Sequence, residues 1–299
     1  MPVTDSIDAD RHGENAGNAD RHGEGVDDAD RPGEGVDDAD HPGEDVDDAD
    51  GHGEDASRDG DALPVNELFV SLQGEGKLAG TPSVFVRTSG CNLRCWYCDS
   101  YHTSWEPTHA WMGLDAIVAE VESFDADHVV LTGGEPLVHD ASETLLERLD
   151  DRDYHTTVET NGTIATDAPI DLASISPKLQ NSVPTDDRDP KGDGEWADRH
   201  EDRRIDLDAL RSLLETHRSQ LKFVVADAAD VDEVDALVAR IRDATTATIP
   251  DADVLLMPEG ATRERLAETR QRVAELALDR GYRYTPRLHV DLWNDAPET

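Results

Sequence analysis

Short runs of β-branched and apolar residues alternate with amphipathic segments after residue 63. The runs predict strands at 82–88, 128–132, 156–159, 170–176, 220–225, 254–257 and 282–290. Apolar residues at three- and four-residue spacing predict helices at 114–124, 142–149, 207–217, 231–244 and 262–280. This alternation favours an α/β fold with a mainly parallel sheet and right-handed crossovers. About six strands are too few for a closed eight-stranded barrel, so we expect a partial one, with its chemistry at the carboxyl ends of the strands.

The segment before this pattern, residues 1–62, is different. Ala-Asp and Gly-Glu pairs recur every ten residues, a period that matches no common solenoid, and large apolar side chains are nearly absent. The segment carries 22 acidic and 4 basic side chains, so we expect a disordered acidic tail. An alternative is weak cation capture among the carboxylates by His12, His22, His41 and His52.

The whole chain is strongly acidic. Its 299 residues include 68 acidic and 27 basic side chains, which give a formal net charge of −41. Such a surface repels nucleic acid and anionic membranes, so we expect neither as a partner. Residues 63–299 alone carry 46 acidic and 23 basic side chains, and the chain has only four lysines, Lys77, Lys178, Lys191 and Lys222. We interpret this as adaptation to high salt; a merely acidic protein is the alternative.

Targeting signals are not evident in the sequence. No run approaches the ~20 apolar residues of a membrane helix. Residues 1–30 have neither a basic start nor an apolar core, so we expect a cytoplasmic protein.

One charged segment, residues 184–204, interrupts the alternation of strands and helices. It contains prolines and glycines at 184, 190, 192 and 194, and we predict an exposed loop insertion. Trp196 within it is either a substrate lid or a side chain that packs the loop onto the domain.

All three cysteines lie in one short array. Cys91, Cys95 and Cys98 have C-x3-C-x2-C spacing directly after a predicted strand, which suits a ligand cluster better than a secreted disulfide framework. Three thiolates can hold a cubane iron–sulfur cluster and leave one iron open to a substrate or cofactor. The alternatives are a zinc site with His102 as the fourth ligand, or structural cysteines.

This array resembles the signature of the radical S-adenosylmethionine (SAM) superfamily, in which an aromatic residue, here Tyr97, precedes the last cysteine. The superfamily also has a Gly-Gly-Glu motif beside the SAM amino group. Gly133, Gly134 and Glu135 provide it here, at the end of the next predicted core strand. The two motifs together make the resemblance specific.

Further motifs narrow the resemblance to 7-carboxy-7-deazaguanine synthases. They lie at residues 67–76, 82–87, 90–93, 98–100, 158–162 and 176–178. The resemblance covers residues 64–295 and leaves out the tail and the 184–204 segment. It implies a modified partial β/α barrel, usually a homodimer, with a [4Fe-4S] cluster, SAM and Mg²⁺ as cofactors.

The reaction that this resemblance implies converts 6-carboxy-5,6,7,8-tetrahydropterin to 7-carboxy-7-deazaguanine and releases ammonia. An electron from the cluster, which Cys91, Cys95 and Cys98 hold, cleaves SAM to methionine and a 5′-deoxyadenosyl radical. That radical takes hydrogen from the substrate and later regains it. A flavodoxin- or ferredoxin-type reducing partner is also implied. The product leads to queuosine or archaeosine in tRNA, and a salt-adapted chain favours archaeosine.

The resemblance also assigns binding residues. SAM would contact Tyr97, Cys98, Asp99, Gly134, Ser176, Pro177, Lys178, Met257, Pro258, Glu259 and Gly260. The pterin would contact Leu72, Gln73, Gly74, Glu75, Arg87 and Thr132, and Arg87 would bind its carboxylate through two N–H groups. Ser100 would place a hydroxyl on Mg²⁺.

Three points stay open at this stage. His289, in the last predicted strand, either closes the pocket or is structural. The runner-up activity is a glycyl-radical-enzyme activase, which has no reason to carry the 72–76 segment together with Arg87. An iron–sulfur electron carrier would need neither the Gly-Gly-Glu motif nor residues 176–178.

Overall fold

The computed structural model describes residues 61–192, 194–294 and 296. The predicted acidic tail therefore lies outside the described residues, apart from its last two positions, and Ala62 already belongs to the first strand. None of the helices in the described part of the chain has the length and apolarity that a membrane crossing requires.

Nine strands in the described part of the chain form one mixed sheet. In chain order they are β1 (Ala62–Leu72), β2 (Pro82–Thr88), β3 (Ala110–Gly113), β4 (His128–Gly133), β5 (His155–Thr160), β6 (Leu172–Ile175), β7 (Ser219–Val225), β8 (Val254–Pro258) and β9 (Arg283–Tyr284). Across the sheet the order is β3-β1-β2-β4-β5-β6-β7-β8-β9. Neighbours from β2 to β9 are parallel, whereas β1 is antiparallel to both β2 and β3.

The parallel strands are adjacent in the order in which the chain forms them. Their carboxyl ends therefore line one edge of the sheet with no reversal of strand order, as in β/α barrels. The α/β class and the partial parallel barrel are confirmed. The loops after β2, β4, β5, β6 and β8 meet at this edge, whereas the segment after β1 enters from the other side, because Leu72 pairs with Pro82 at the start of β2.

Helices cover the sheet and confirm the five predicted ones. The helices are α1 (Tyr101–Ser104), α2 (Leu114–Ser123), α3 (Ala141–Asp150), α4 (Ala197–Arg203), α5 (Leu207–Thr216), α6 (Ala228–Ala244), α7 (Arg263–Arg280) and α8 (Leu288–Trp293). Local sequence sets their ends. Asp227 accepts from the first-turn amides of α6, and Gly281, in the left-handed region, ends α7.

The core lies between these helices and the sheet. The buried residues of α6 are Val231, Val234, Leu237, Val238 and Ile241, which recur at three- and four-residue spacing. They join a cluster that includes the fully buried Phe223 of β7. Each such side chain stabilises the fold by about 1.5–3 kcal/mol on burial.

Two strands were absent from the sequence prediction. The alternation of β1 is broken by a register shift between Val65 and Glu67, so its period-two pattern is weak. Strand β3 is short, lies at the sheet edge and is mostly exposed, so little burial shapes its composition.

The predicted strand at 282–290 is wrong over most of its length. Only Arg283–Tyr284 pairs with β8, and Leu288–Trp293 is helix α8. Pro286 has no backbone N–H to continue a ladder, and the Leu288 amide donates to the Gly74 carbonyl oxygen at 2.8 Å. The chain therefore turns over the edge of the sheet, and His289 lies on a helix.

The predicted exposed loop at 184–204 is wrong in its second half. Residues Ala197–Arg203 form α4, and His200 within it is fully buried. Trp196 does not border the cavity described below; it lies between the Arg94 and Arg199 guanidinium groups. The packing interpretation of Trp196 is therefore the one the contacts favour.

Candidate active site

A cavity of about 510 Å³ lies at the carboxyl ends of the parallel strands. It brings together most of the residues that the sequence singled out, namely Leu72, Gln73, Gly74, Glu75, Arg87, Cys91, Cys95, Tyr97, Cys98, Asp99, Ser100, Thr132, Gly134, Ser176, Lys178, Met257 and Gly260. Pro177, Pro258 and Glu259 are buried and outside this lining. The Glu259 carboxylate turns away and pairs with Arg265 at 2.6 Å.

The three cysteine thiols are free and line one side of the cavity. Burial raises the pKa of the Cys91 thiol to about 12, and it also raises the pKa values of Cys95 and Cys98. Thiols that burial keeps protonated become thiolates when a metal supplies positive charge, so the donor set fits an iron–sulfur cluster with three cysteine ligands. Within the described residues, no three His, Cys, Asp or Glu side chains are placed to hold a single metal ion, so nothing in this arrangement favours the zinc alternative.

The glycines after β4 let the Gly-Gly-Glu turn contact the segment before Cys91. A Cβ on Gly134 would lie 2.1 Å from the Gly90 carbonyl oxygen and 2.8 Å from that of Thr103. The Glu135 amide donates to the same Gly90 oxygen at 2.9 Å. Gly134, which borders the cavity, therefore packs against the Gly90 and Thr103 backbone at a distance that only glycine allows.

Glu135 ties this turn to the end of β5. Its fully buried carboxylate accepts from the Asn161 amide at 2.6 Å and from Thr160 Oγ1 at 2.9 Å. Burial raises its pKa to about 7, although these hydrogen bonds oppose the shift. Asn161 in turn donates to Asn92 Oδ1 at 2.8 Å, which connects β5 to the cysteine loop.

Lys178 presents a cation to the cysteine side of the cavity. Its Nζ donates to Ser176 Oγ at 2.9 Å, which leaves other N–H groups of the ammonium for a ligand. Because both residues follow β6, the strand end fixes the position of this charge.

Arg87 on β2 also lines the cavity. Its Nη1 donates to Ser100 Oγ at 3.0 Å, and its guanidinium lies over the Phe69 ring, 5.6 Å from the centroid. Its Nε is buried 2.8 Å from Glu67 Oε2, in a geometry that does not make a hydrogen bond. Contacts with Ser100, Phe69 and Glu67 therefore orient the guanidinium in advance.

Two buried cations that sequence reasoning missed hold the acidic residues of the cavity. Lys222 Nζ lies 2.5 Å from Glu75 Oε2 and 3.4 Å from Glu159 Oε1. Arg287 donates from Nε to Glu75 Oε1 at 3.1 Å, from Nη1 to the Gly260 oxygen at 2.6 Å, and from Nη2 to Asp99. The sequence offered one signal for Lys222, which is its position inside the apolar run that forms β7. A lysine buried at such a position is almost always paired with an acidic group.

These ion pairs determine which groups of the cavity are charged. Burial alone would raise the pKa of Glu75, but Lys222 and Arg287 lower it to about 2. The pKa of Asp99 is also lowered, because Arg287 outweighs its burial. Conversely, the carboxylates raise the pKa of Lys222 above its usual value despite burial. All four groups are therefore ionised at neutral pH.

Glu159 stands at the centre of the predicted pterin-binding residues. It accepts from Gln73 Nε2 at 3.3 Å through Oε1 and from Thr132 Oγ1 at 3.2 Å through Oε2. The Gln73 side-chain oxygen accepts from the Glu75 amide at 3.1 Å. Sequence reasoning placed Glu159 in a family motif without a role, and the geometry brings it into the cavity.

Helix α8 closes the cavity from the carboxyl-terminal side. His289 lines it, with Nε2 4.0 Å from Glu75 Oε1, and burial lowers its pKa. A Cβ on Gly74 would lie 1.9 Å from His289 Nδ1, so the glycine permits this approach. The pocket-closing interpretation of His289 fits this position.

Comparison with known proteins agrees with this arrangement. The chain matches the radical SAM superfamily over residues 85–179. It is 68% identical over 242 residues to the 7-carboxy-7-deazaguanine synthase of Halobacterium salinarum, covering 81% of this chain and 94% of that protein. It is 40% identical over 230 residues to the 7-carboxy-7-deazaguanine synthase of Rhodopirellula baltica, covering 77% and 86%. The solved structure of QueE from Escherichia coli shares the fold, with a TM-score of 0.50 at 22% identity, covering 76% of this chain and 95% of that chain.

Proposed function

The chain belongs to the 7-carboxy-7-deazaguanine synthase family of radical SAM enzymes, and on that premise we propose that it converts 6-carboxy-5,6,7,8-tetrahydropterin to 7-carboxy-7-deazaguanine with release of ammonia. Family membership makes it a radical SAM enzyme of 7-deazapurine biosynthesis that uses a [4Fe-4S] cluster and SAM. The observation that carries the proposal is that one cavity is lined by all three thiols, by Arg87 and by the 72–75 segment.

Cys91, Cys95 and Cys98 hold the cluster in this proposal. When bound, the cluster and SAM supply abstraction of a hydrogen atom from an unactivated C–H bond. The chain contributes position and charge. Lys178 offers a cation to SAM, and Gly134 admits SAM close to the backbone.

Other SAM contacts follow from the predicted set. Tyr97, Asp99, Ser176 and Pro177 surround the cysteine side. At residues 257–260 we assign the contact to Met257 and to backbone groups, because the Glu259 carboxylate is engaged by Arg265.

The pterin lies on the opposite side of the cavity in this proposal. Its carboxylate meets the guanidinium of Arg87, and Thr132 and residues 72–75 border the ring. Glu159, whose carboxylate lies 3.4 Å from Lys222 Nζ, accepts hydrogen bonds from N–H groups of the aminopyrimidinone edge. Helix α8 reduces access of water to the bound ring.

Further parts of the proposal extend the resemblance. Mg²⁺ binds Ser100, whose hydroxyl oxygen has two lone pairs and also accepts a hydrogen bond from Arg87. A homodimer and a flavodoxin- or ferredoxin-type reductant complete the system. Residues 63–299 carry the chemistry, and archaeosine synthesis is the proposed destination of the product.

The activity is tested by anaerobic cluster reconstitution, reduction, and addition of SAM with and without the carboxypterin. We expect 7-carboxy-7-deazaguanine only in the complete mixture. SAM cleavage that ignores the pterin would contradict the assigned substrate, and absence of cleavage in an intact reduced sample would favour an electron carrier.

Two variants test the cluster site and the substrate site of the cavity separately. Cys95→Ala should lose the cluster and all turnover. Arg87→Ala should keep the cluster but raise the KM for carboxypterin by about 10- to 100-fold, because a charge-assisted contact is lost. The surface variant Arg148→Ala is the control for Arg87, and an unchanged KM in Arg87→Ala would refute the carboxylate contact.

A further inference from the structure

The loop that carries the cysteines is bound by residues that follow β6. The Trp96 amide donates to the Ser182 carbonyl oxygen at 3.1 Å, and Trp96 Nε1 donates to the Asn181 carbonyl oxygen at 2.6 Å. The Arg94 amide donates to His200 Nδ1 at 3.0 Å. The backbone on both sides of Cys95 is therefore held by residues that lie 85 to 106 positions later in the chain.

His200 can make this contact in only one tautomer. Ser182 Oγ donates its hydrogen to the Leu179 carbonyl oxygen at 2.6 Å, so it accepts from His200 Nε2 at 2.9 Å. Nδ1 then carries the lone pair that receives the Arg94 amide. The ring is fully buried, and both of its nitrogens are used.

A second contact in the same segment fixes the Arg94 side chain. The Trp196 ring lies between two guanidinium groups, 4.3 Å from that of Arg94 and 4.4 Å from that of Arg199. Arg94 Nη1 donates to the Cys91 carbonyl oxygen at 2.6 Å and to that of Leu93 at 2.8 Å. The stacked guanidinium thus closes the turn between the first two cysteines.

We propose that His200 and Trp196 are positioning residues for the iron–sulfur cluster, holding the 91–98 loop in the geometry that its three thiols need. We call Asn181, Ser182, Trp196, Arg199 and His200 the brace. This inference rests on the cluster assigned to the cysteines above. Ordering a loop costs conformational entropy. Because the brace orders the loop when the chain folds, that cost is not subtracted from the free energy of cluster binding. It should therefore slow the loss of the cluster.

Two substitutions of His200 separate its two hydrogen bonds. His200→Asn places an acceptor oxygen near the position of Nδ1, whereas His200→Gln places a donor near Nε2. We expect His200→Gln to lose the cluster about tenfold faster than the native chain when an iron chelator is added anaerobically, because the Arg94 amide loses its acceptor. His200→Asn should stay within about threefold of the native rate.

Two substitutions of Trp196 form a second matched pair of variants, and a substitution on α4 is their control. Trp196→Ala should accelerate cluster loss several-fold, and Trp196→Phe, which keeps a ring face for Arg94, should recover most of the difference. Arg203→Ala changes an exposed charge on the same helix and should leave the rate unchanged. The visible absorbance of the cluster and its electron paramagnetic resonance spectrum with SAM report the result.

Hydrogen exchange at the Arg94 amide in metal-free protein tests the brace without the cluster. The amide should be protected in the native chain and in His200→Asn, and it should exchange faster in His200→Gln. Native rates of cluster loss in both His200→Gln and Trp196→Ala would overturn the proposal, as would unchanged exchange at Arg94. If the native chain assembled no cluster, the proposed function would fail, while the exchange data would still decide the bracing of the loop. If His200→Gln failed to fold, the Trp196 pair would decide.

Discussion

At the scale of single residues, the cavity depends on a few positions whose surroundings tolerate only the native residue. Lys222 is buried between Glu75 and Glu159, and Gly134 lies against two backbone oxygens. A buried charge without a partner and a Cβ inside a contact distance are both strongly unfavourable. Substitution at either position tests the geometry directly.

Lys222→Met should lower the free energy of unfolding by about 3–5 kcal/mol, because it leaves Glu159 without its cation and Glu75 with Arg287 alone. Lys77→Met is the matched control, since Lys77 pairs with Asp253 at 2.6 Å nearer the surface, where loss of a pair is worth about 1 kcal/mol or less. Urea unfolding measures both. Equal losses in the two variants would show that Lys222 does not hold the carboxylates.

Gly134→Ala should lower the free energy of unfolding by about 1–3 kcal/mol and reduce cluster content, because the added Cβ forces the turn after β4 away from Gly90. In Gly113→Ala, by contrast, the nearest neighbouring atom of the new Cβ would be 3.9 Å away. Thermal unfolding and iron content of the two variants provide the comparison. A native iron content in Gly134→Ala would contradict the close approach.

At the scale of elements, the two ends of the parallel strands have different tasks. The carboxyl ends form the cavity, and α8 covers it through Arg287. At the opposite ends of β4 and β5, His128 is buried between Ser83 Oγ at 2.6 Å and Thr157 Oγ1 at 2.8 Å. Its ring also contacts that of His155. This end of the sheet is therefore structural, and it is sensitive to acid.

His128 should make the fold less stable as the pH falls from 6.5 to 4. Burial lowers its pKa from 6.5 to about 4 in the folded state, so within this window the unfolded chain binds a proton that the folded chain does not. The free energy of unfolding then falls by up to about 1.4 kcal/mol per pH unit for this site. His128→Gln should reduce the slope, measured by urea unfolding at several pH values. Identical slopes for the variant and the native chain would exclude His128 as a source.

At the scale of the whole molecule, charge is distributed unequally. The chain carries 41 more acidic than basic side chains, and 23 of that excess lie in residues 63–299. Within the cavity, by contrast, Lys178, Lys222, Arg87 and Arg287 offset the carboxylates. The surface therefore repels itself, while the interior is nearly balanced.

Added salt should stabilise the full chain. The Debye length falls from ~10 Å at 0.1 M to ~3 Å at 1 M, so KCl weakens repulsion among the acidic side chains. Each ~1 kcal/mol gained raises the Tm by about 2–4 °C for a domain of this size. Thermal unfolding in increasing KCl measures the effect. A flat or falling Tm would show that surface repulsion is not what limits stability.

The sequence by itself determined the local features of this protein. The spacing of Cys91, Cys95 and Cys98, the Gly-Gly-Glu turn and the alternation of strands and helices act over short separations, so their meaning was readable without a structure. The family resemblance of further motifs implied that Arg87 and residues 72–75 bind the substrate. The local patterns failed at residues 282–290, where Pro286 and the Gly74 carbonyl redirect the chain.

Only the tertiary structure decided which charges meet. Lys222 and Arg287 lie 147 and 212 positions from Glu75, and His200 lies 106 positions from Arg94. No local pattern records such a pair, because each partner alone looks like an ordinary polar residue. Their proximity follows from segments far apart in the chain that pack together around the parallel strands, and this packing turns scattered charges into a site.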